Sequence, residues 1–237
     1  MDAITKGGKA RSKGKSVQQM MREERVPVPA HLLEEHYTYV GSEPLSVDRY
    51  ISQEFFEREK ETVWKKTWQM ACRLEDIPNV GDHVIYDIND DSLIVMRAGP
   101  DSIRAYHNSC LHRARRLRDE GGNVGMLRCP YHAFTWDIQG KSTVIPCKWD
   151  FPHIDQENFS LPEDKVGTWG GFVFINFDQD CEPLESYLGP IPNDFKAWNY
   201  ENKVKIAHVG KVCNFNWKVG VEAFIESYHV IATHPQI

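Results

Sequence analysis

Two short segments carry side chains able to hold a redox-active metal centre: Cys110-Leu111-His112 and Cys129-Pro130-Tyr131-His132. Each offers one thiolate and one imidazole, and sixteen residues separate His112 from Cys129. Thiolates suit iron–sulfur centres. A cluster with two cysteines on one iron and two histidines on the other needs this ligand set. Exchanging two thiolates for neutral imidazoles makes such a cluster less negative and raises its potential. A closed tetrahedral zinc site also takes two Cys and two His. Zinc sequences, however, group like with like, Cys-x-x-Cys and then His-x-x-x-His. Here each segment is mixed and the spacer is long, which favours iron and sulfide.

A second constellation follows downstream: Asn216-Trp217-Lys218, Glu226-Ser227-Tyr228-His229 and His234-Pro235. Two histidines five apart, with a carboxylate just upstream, suit part of a 2-His-1-carboxylate iron site. Trp217, Val221, Phe224, Ile225, Tyr228 and Ile231 recur at helical spacing, which predicts a helix whose stripe faces a core. Asn216 is placed to cap it. On a regular helix, residues five apart point about 140° away from each other, given ~3.6 residues per turn. His229 and His234 therefore meet only if the helix bulges or ends between them. Pro235 favours an end, because the residue before a proline is pushed out of the α region. This places His229 on the last turns and His234 just past them.

The first pair of segments, with flanks Asn108-Ser109-Cys110-Leu111-His112-Arg113, resembles the Rieske [2Fe–2S] motif in its oxygenase branch. Taken with the downstream histidines and Trp169-Gly170-Gly171-Phe172-Val173-Phe174-Ile175-Asn176, read as a strand, the chain from about Ser46 onward resembles the large (alpha) subunit of Rieske non-haem iron oxygenases of the aromatic-ring-hydroxylating type. The resemblance implies an α+β protein: an antiparallel β Rieske domain followed by the start of an α+β catalytic domain of the helix-grip type. It implies that Cys110 and Cys129 bind the buried iron of the cluster and His112 and His132 the outer iron. His229 and His234 would bind a mononuclear Fe(II). Glu226 stands where the family usually has Asp, as a hydrogen-bonding bridge towards a cluster histidine, here His132, of a neighbouring subunit.

The implied activity is that of a terminal oxygenase component. Electrons would come from NAD(P)H through a reductase or ferredoxin, and an organic, aromatic substrate would be hydroxylated with O₂. One alternative is a monooxygenase or demethylase acting on an aromatic ether or a quaternary ammonium. Another is a Rieske electron carrier without oxygen chemistry. An electron path between chains implies a trimer-based homo-oligomer, with or without a small β subunit.

Departures from the family pattern set further expectations. Ala114 and Ala133 stand where many relatives have glycine, so either those turns keep negative φ or some strain is tolerated. The third iron ligand of the family is a carboxylate far downstream. The sequence stops three residues after His234, so it reads as an N-terminal fragment of a longer subunit that holds the cluster but binds mononuclear iron poorly. Respiratory Rieske proteins carry an additional cysteine in each cluster loop. None stands there in this chain, which points to the lower-potential oxygenase type.

The elements that must position these residues are legible in part. Residues 1–45 read as a flexible N-terminal arm, basic at Lys6, Lys9, Arg11, Lys13 and Lys15, and as a disordered terminus rather than a nucleic-acid tail. Residues 46–66 read as an N-terminal helix packing on the catalytic domain. The periodicity runs from Asp48 to Trp68, with Phe55, Phe56, Val63, Trp64 and Trp68 on one side. Residues 67–183 read as the Rieske domain. Apolar runs at Val84-Ile85-Tyr86, Leu93-Ile94-Val95-Met96 and Ile103–Tyr106, separated by Asn89-Asp90-Asp91 and Gly99-Pro100-Asp101, predict a β meander. The metal-binding segments then sit on loops of a rigid β scaffold. Strand 172–177 is expected to close the domain and Pro183 to end it. Residues 184–237 read as the start of the catalytic domain, with Val204, Ile206 and His208 alternating as a strand.

Composition agrees. Hydrophobic content of 41% and charged content of 26% are ordinary for a globular protein. A net charge of −6 gives no global attraction to nucleic acid. No apolar run approaches the ~20 residues of a membrane-spanning helix, and no hydrophobic signal core opens the sequence. A cytoplasmic enzyme is expected, with Cys72, Cys147, Cys181 and Cys213 kept reduced.

Overall fold

The computed structural model describes residues 14–34, 43–234 and 236. The chain falls into two compact units, Met1–Val47 and Asp48–Ile237. In the first, helix α1 (Val17–Arg22) is opened by a capping box between Ser16 and Gln19. Lys15 pairs with Glu23 at 2.6 Å, and the Arg22 guanidinium donates to the Leu33 carbonyl at 2.9 Å. The sequence pattern does not predict this helix. It buries no side chain, so its order rests on the cap rather than on apolar periodicity. Lys6, Lys9, Arg11 and Lys13 of the expected basic arm lie outside the described residues.

The second unit begins with helices α2 (Asp48–Ile51) and α3 (Gln53–Glu59), the latter continuing as a π turn over Lys60–Trp64. One helix was expected from Asp48 to Trp68. The break comes at Ser52, whose hydroxyl accepts from the Phe55 amide at 3.3 Å and opens a new helix. Trp68 falls beyond the helical stretch and donates from its indole to the Glu182 carbonyl at 2.9 Å.

Among the described residues ten antiparallel strands follow: β1 (Gln69–Arg73), β2 (Asp82–Ile88), β3 (Asp91–Gly99), β4 (Ser102–His107), β5 (Gly122–Asn123), β6 (Met126–Arg128), β7 (Thr135–Asp137), β8 (Ser142–Val144), β9 (Glu163–Trp169) and β10 (Phe172–Asn176). Seven form a sheet in the order β1-β10-β9-β4-β3-β2-β5, and β6-β7-β8 form a second sheet. The meander β2-β3-β4 is the one the apolar runs predict, with Val84 opposite Val95 and Ile94 opposite Tyr106.

Strand β3 explains its own unbroken apolar run. Leu93 and Val95 point into a core with Ala105, Val173 and Ile175. Ile94 and Met96 point into another with Tyr106, Leu127, Phe134, Trp136, Cys110 and Cys129. A strand buried on both faces has no polar side to alternate with. The second of these cores packs directly beneath the two cysteine–histidine segments.

After Pro183, helix α4 (Leu184–Leu188) lays Leu184 and Leu188 on the sheet. Gly167 of β9 makes room, since a Cβ there would stand 2.8 Å from Leu184. Helix α5 (Ile191–Asp194) and short turns lead to residue 202. The strand expected through Val204, Ile206 and His208 does not form. Side chains from the end of β1 satisfy the backbone there instead. Arg73 donates to the carbonyls of Tyr200 and Lys203, and Glu75 accepts from the Lys205 amide at 2.8 Å.

The unit ends with helices α6 (Trp217–Phe224) and α7 (Val230–Thr233). Asn216 caps α6 as predicted, accepting from the Lys218 amide at 3.0 Å. The stripe expected to face a core does so only at its start, where the Trp217 ring meets Trp64 edge-on at 4.9 Å. Phe224 is 92% exposed, and Tyr228 and Ile231 are similarly open, with no described residue covering them. Among the described residues, no helix is long and apolar enough to cross a membrane.

Candidate metal centres

The two cysteine–histidine segments fold into loops closed in the same way. In the first, the Cys110 amide donates to the Arg115 carbonyl (2.9 Å) and the Cys110 carbonyl accepts from the Ala114 amide (2.8 Å). In the second, the Cys129 amide donates to the Phe134 carbonyl (2.8 Å) and the Cys129 carbonyl accepts from the Ala133 amide (3.1 Å). Both alanines take left-handed φ, +54° at Ala114 and +61° at Ala133. The turns therefore keep the geometry that glycine would serve, and the protein tolerates the strain.

This geometry sorts the four candidate ligands by depth. Cys110 and Cys129 are 3% and 2% exposed and sit within the core that includes Leu117, Leu127, Phe134 and Trp136. His112 is half-buried and His132 is exposed. Their rings lie 4.9 Å apart between centroids at 67°. Phe134 stacks on His112 at 4.6 Å, and Tyr131 packs beside His132 at 3.7 Å. The structure thus brings all four residues together at the mouth of one core, sulfur inward and imidazole outward.

The downstream constellation is built differently. The helix carrying Trp217 ends at Phe224, not near His234 as expected. Glu226 turns back and accepts from the amides of Tyr228 and His229, which starts a separate turn. His229 opens helix α7 and His234 closes it, so the histidines flank four residues rather than sharing one regular helix. Their rings stand 5.5 Å apart. Pro235, to which the break was attributed, lies outside the described residues. The Glu226 carboxylate meets His229 Nδ1 at 2.5 Å. Glu222 is occupied elsewhere, accepting from the Tyr50 hydroxyl at 2.8 and 3.0 Å.

A family described as the Rieske [2Fe-2S] domain matches residues 67–155, and one described as the ring hydroxylating alpha subunit (catalytic domain) matches residues 193–237. The carnitine monooxygenase oxygenase subunit of Acinetobacter pittii is 29% identical over 189 residues, covering 78% of this chain and 51% of its own. The anthranilate 1,2-dioxygenase large subunit of Acinetobacter baylyi is 29% identical over 199 residues, covering 79% and 41%. Among solved structures, a quaternary ammonium Rieske monooxygenase in complex with L-carnitine matches with a TM-score of 0.73 at 29% identity, over 80% of this chain and 55% of that one. The chain carries a Rieske [2Fe-2S] domain followed by part of a ring-hydroxylating alpha-subunit catalytic domain, and the relatives it matches are Rieske oxygenase large subunits. It spans about half the length of the curated relatives it matches.

The residues present fit a Rieske cluster. Burial, foremost, and the neighbouring Cys129 push the Cys110 thiol up from its usual pKa, while the amides of His112 and Arg113, which favour a thiolate, oppose this. Burial and then the neighbouring His132 hold the His112 imidazole below its ordinary pKa, which keeps a nitrogen lone pair free for a metal. All six cysteines are unpaired.

Two further residues matter that sequence reasoning passed over. Glu59 is buried and binds Lys218 at 2.6 Å, tying the π-turn end of the N-terminal helices to the first turn of α6. The periodicity gave it no role, because a lone acid in a helix normally reads as solvated. Asn108 was noted only as a flank of the cysteine motif, yet it is 4% exposed and fully engaged.

Proposed function

We propose that this protein is the terminal oxygenase component of a Rieske system, hydroxylating an organic substrate with O₂. The observation that carries the reading is the pair of matching loops that presents two buried thiols and two outward imidazoles beside each other. When bound, the cluster supplies one-electron transfer and the mononuclear iron supplies reduction of O₂.

The chain's own residues prepare both sites. Cys110 and Cys129 place their sulfurs inside the core, away from water. His112 and His132 present ring nitrogens on the open side, where an electron donor has access. At the second site, Glu226 accepts from His229 Nδ1–H. That fixes the tautomer and leaves the Nε2 lone pair for iron, the usual task of a carboxylate behind a metal-binding histidine. His234 supplies the second imidazole. The same Glu226 is the candidate bridge to His132 of a neighbouring chain. A carboxylate has about four lone-pair sites, so its bonds to His229 and to two amides leave capacity for one more donor. A related quaternary ammonium Rieske monooxygenase structure is described in terms of inter-subunit electron transfer, which supports a path between chains; a trimer-based homo-oligomer is our reading of that path. A reductase or ferredoxin would supply electrons from NAD(P)H. A reducing cytoplasm suits a chain that needs two of its cysteines as thiolates. We retain 67–183 as the Rieske domain and 184–237 as the start of the catalytic domain.

An aromatic ring is the first substrate reading, in keeping with relatives such as anthranilate 1,2-dioxygenase. A quaternary ammonium is the second, favoured by the carnitine and glycine betaine monooxygenase subunits among the relatives. Turnover by the whole subunit with its reductase decides. A cis-diol from an aromatic substrate supports the first, and amine release from carnitine or betaine supports the second. His229→Ala should abolish either product while leaving cluster absorption intact. Retained turnover would refute the His229 assignment.

A further inference from the structure

The two cluster loops close alike at their cysteines but differ where the chain leaves them. The second loop exits directly into β7, and Thr135 pairs with Arg128 of β6, so a β ladder holds its base. Two residues before Cys129 stands Leu127, fully buried and apolar. The first loop has no such ladder, because residues 117 and 118 belong to no strand. Two residues before Cys110 stands Asn108, and its side chain makes the missing bonds. Its Oδ1 accepts from the amides of Leu117 (3.0 Å) and Arg118 (2.9 Å). Its Nδ2 donates to the Arg118 carbonyl (2.7 Å) and the Ser92 hydroxyl (3.1 Å). The Asn108 amide is fixed on the Ser92 carbonyl of β3 at 2.8 Å.

A primary amide can accept two hydrogen bonds and donate two, so this side chain is saturated. The far end of the loop is held as well. Arg118 donates from Nε to the buried His83 Nε2 at 3.3 Å, and Arg116 clasps Asp87 at 2.8 Å. Between these anchors hang Cys110 and His112.

We propose that Asn108 is a positioning residue for the cluster: its side chain substitutes for a strand pair and fixes the loop that carries Cys110 and His112. The proposal rests on the Rieske reading of that loop. A buried amide removed from this place leaves the Leu117 and Arg118 amides without partners, and the Arg118 carbonyl keeps only the Arg116 guanidinium at 3.0 Å. The loop then moves, and the ligand geometry at one sulfur and one imidazole changes with it, while the second loop stays on its ladder.

The test uses the whole chain, reconstituted anaerobically with iron and sulfide. Iron and labile-sulfide content, the EPR spectrum of the reduced protein and its midpoint potential are compared for wild type, Asn108→Ala and Asn108→Asp. The alanine variant should show a displaced, broadened EPR signal and a shifted potential. The aspartate variant keeps the two accepted amide bonds but loses the donor to Arg118, and should fall between alanine and wild type. A variant that folds by circular dichroism but no longer takes up a cluster also supports the proposal. If alanine does not fold, aspartate decides alone. EPR spectra and potentials superimposing on wild type overturn the proposal. So does failure of both variants to fold, which makes Asn108 a residue of the fold rather than of the cluster. A wild-type protein that takes up no cluster overturns the Rieske reading itself, whatever Asn108 does.

Discussion

The pair of loops around Cys110 and Cys129 and the His229/His234 turn each present two histidines, yet one is closed on itself and the other lies open. The loops around Cys110 and Cys129 close on their own backbone, and the core beneath them is assembled from neighbouring strands. The turn around His229 rests on one carboxylate, and the apolar side chains on either side of it face outward. The difference is one of where the supporting atoms come from. A site on β loops draws its support from a sheet already complete in the same stretch of chain. A site at the end of a helix needs a surface for that helix to lie on, and among the described residues of α6 Trp217, Lys218 and Glu222 have found theirs, on Trp64, Glu59 and Tyr50.

The sharpest way to break the comparison is to remove a ligand at each end. Cys110→Ala should abolish the cluster entirely, whereas His229→Ala should leave iron and sulfide content at the wild-type value. Equal loss in both would mean that the two regions are not independent. The next largest effect falls on the helix end. Lys218→Met leaves the buried Glu59 carboxylate unpaired and should destabilise that region by about 3 kcal/mol, read as a lower urea midpoint in tryptophan fluorescence. Cluster absorption should be lost at a urea concentration closer to that of wild type. Smaller and of opposite sign, Ala114→Gly or Ala133→Gly relieves a left-handed alanine and should stabilise the cluster region by about 1 kcal/mol, seen as slower loss of cluster colour on heating.

The smallest effect is a pH dependence at the base of the first loop. His107 Nε2 lies 3.1 Å from the Asp164 carboxylate, and this neighbour, ahead of an opposing effect of burial, holds the imidazole above its ordinary pKa. A group whose pKa is raised on folding stabilises fully below its unfolded value, about 6.5 for histidine, and loses that contribution as pH rises through the folded value. The thermal midpoint of wild type should therefore fall as pH rises from about 6 through that region, and His107→Gln should flatten the slope. A wild-type slope unchanged by this substitution would remove His107 from the account.

What the sequence made legible follows the same division. The meander and its turns, the cap at Asn216 and the cysteine–histidine pairs were readable because each is a local pattern with its own chemistry. The break at Ser52, the missing strand at Val204 and the early end of α6 at Phe224 were not. Each depends on what a backbone group meets in three dimensions: a serine hydroxyl, the Arg73 and Glu75 side chains, the Glu226 carboxylate. The exposed stripe of α6 shows that periodicity finds a helix face but not what covers it. Asn108 escaped notice because one polar residue at a strand end carries no periodic signal, although its place two residues before Cys110, opposite Leu127 in the second loop, is visible once the loops are superposed.

The central claim is that one centre is held asymmetrically, by Cys110 and Cys129 inside and by His112 and His132 outside. The most direct test is the EPR spectrum of the dithionite-reduced protein after anaerobic reconstitution, measured alongside its metal content. The account predicts iron with matching labile sulfide and an EPR signal that appears on reduction, as expected for a reduced two-iron cluster ligated by nitrogen and sulfur. A colourless protein that binds zinc and stays EPR-silent on reduction would contradict it.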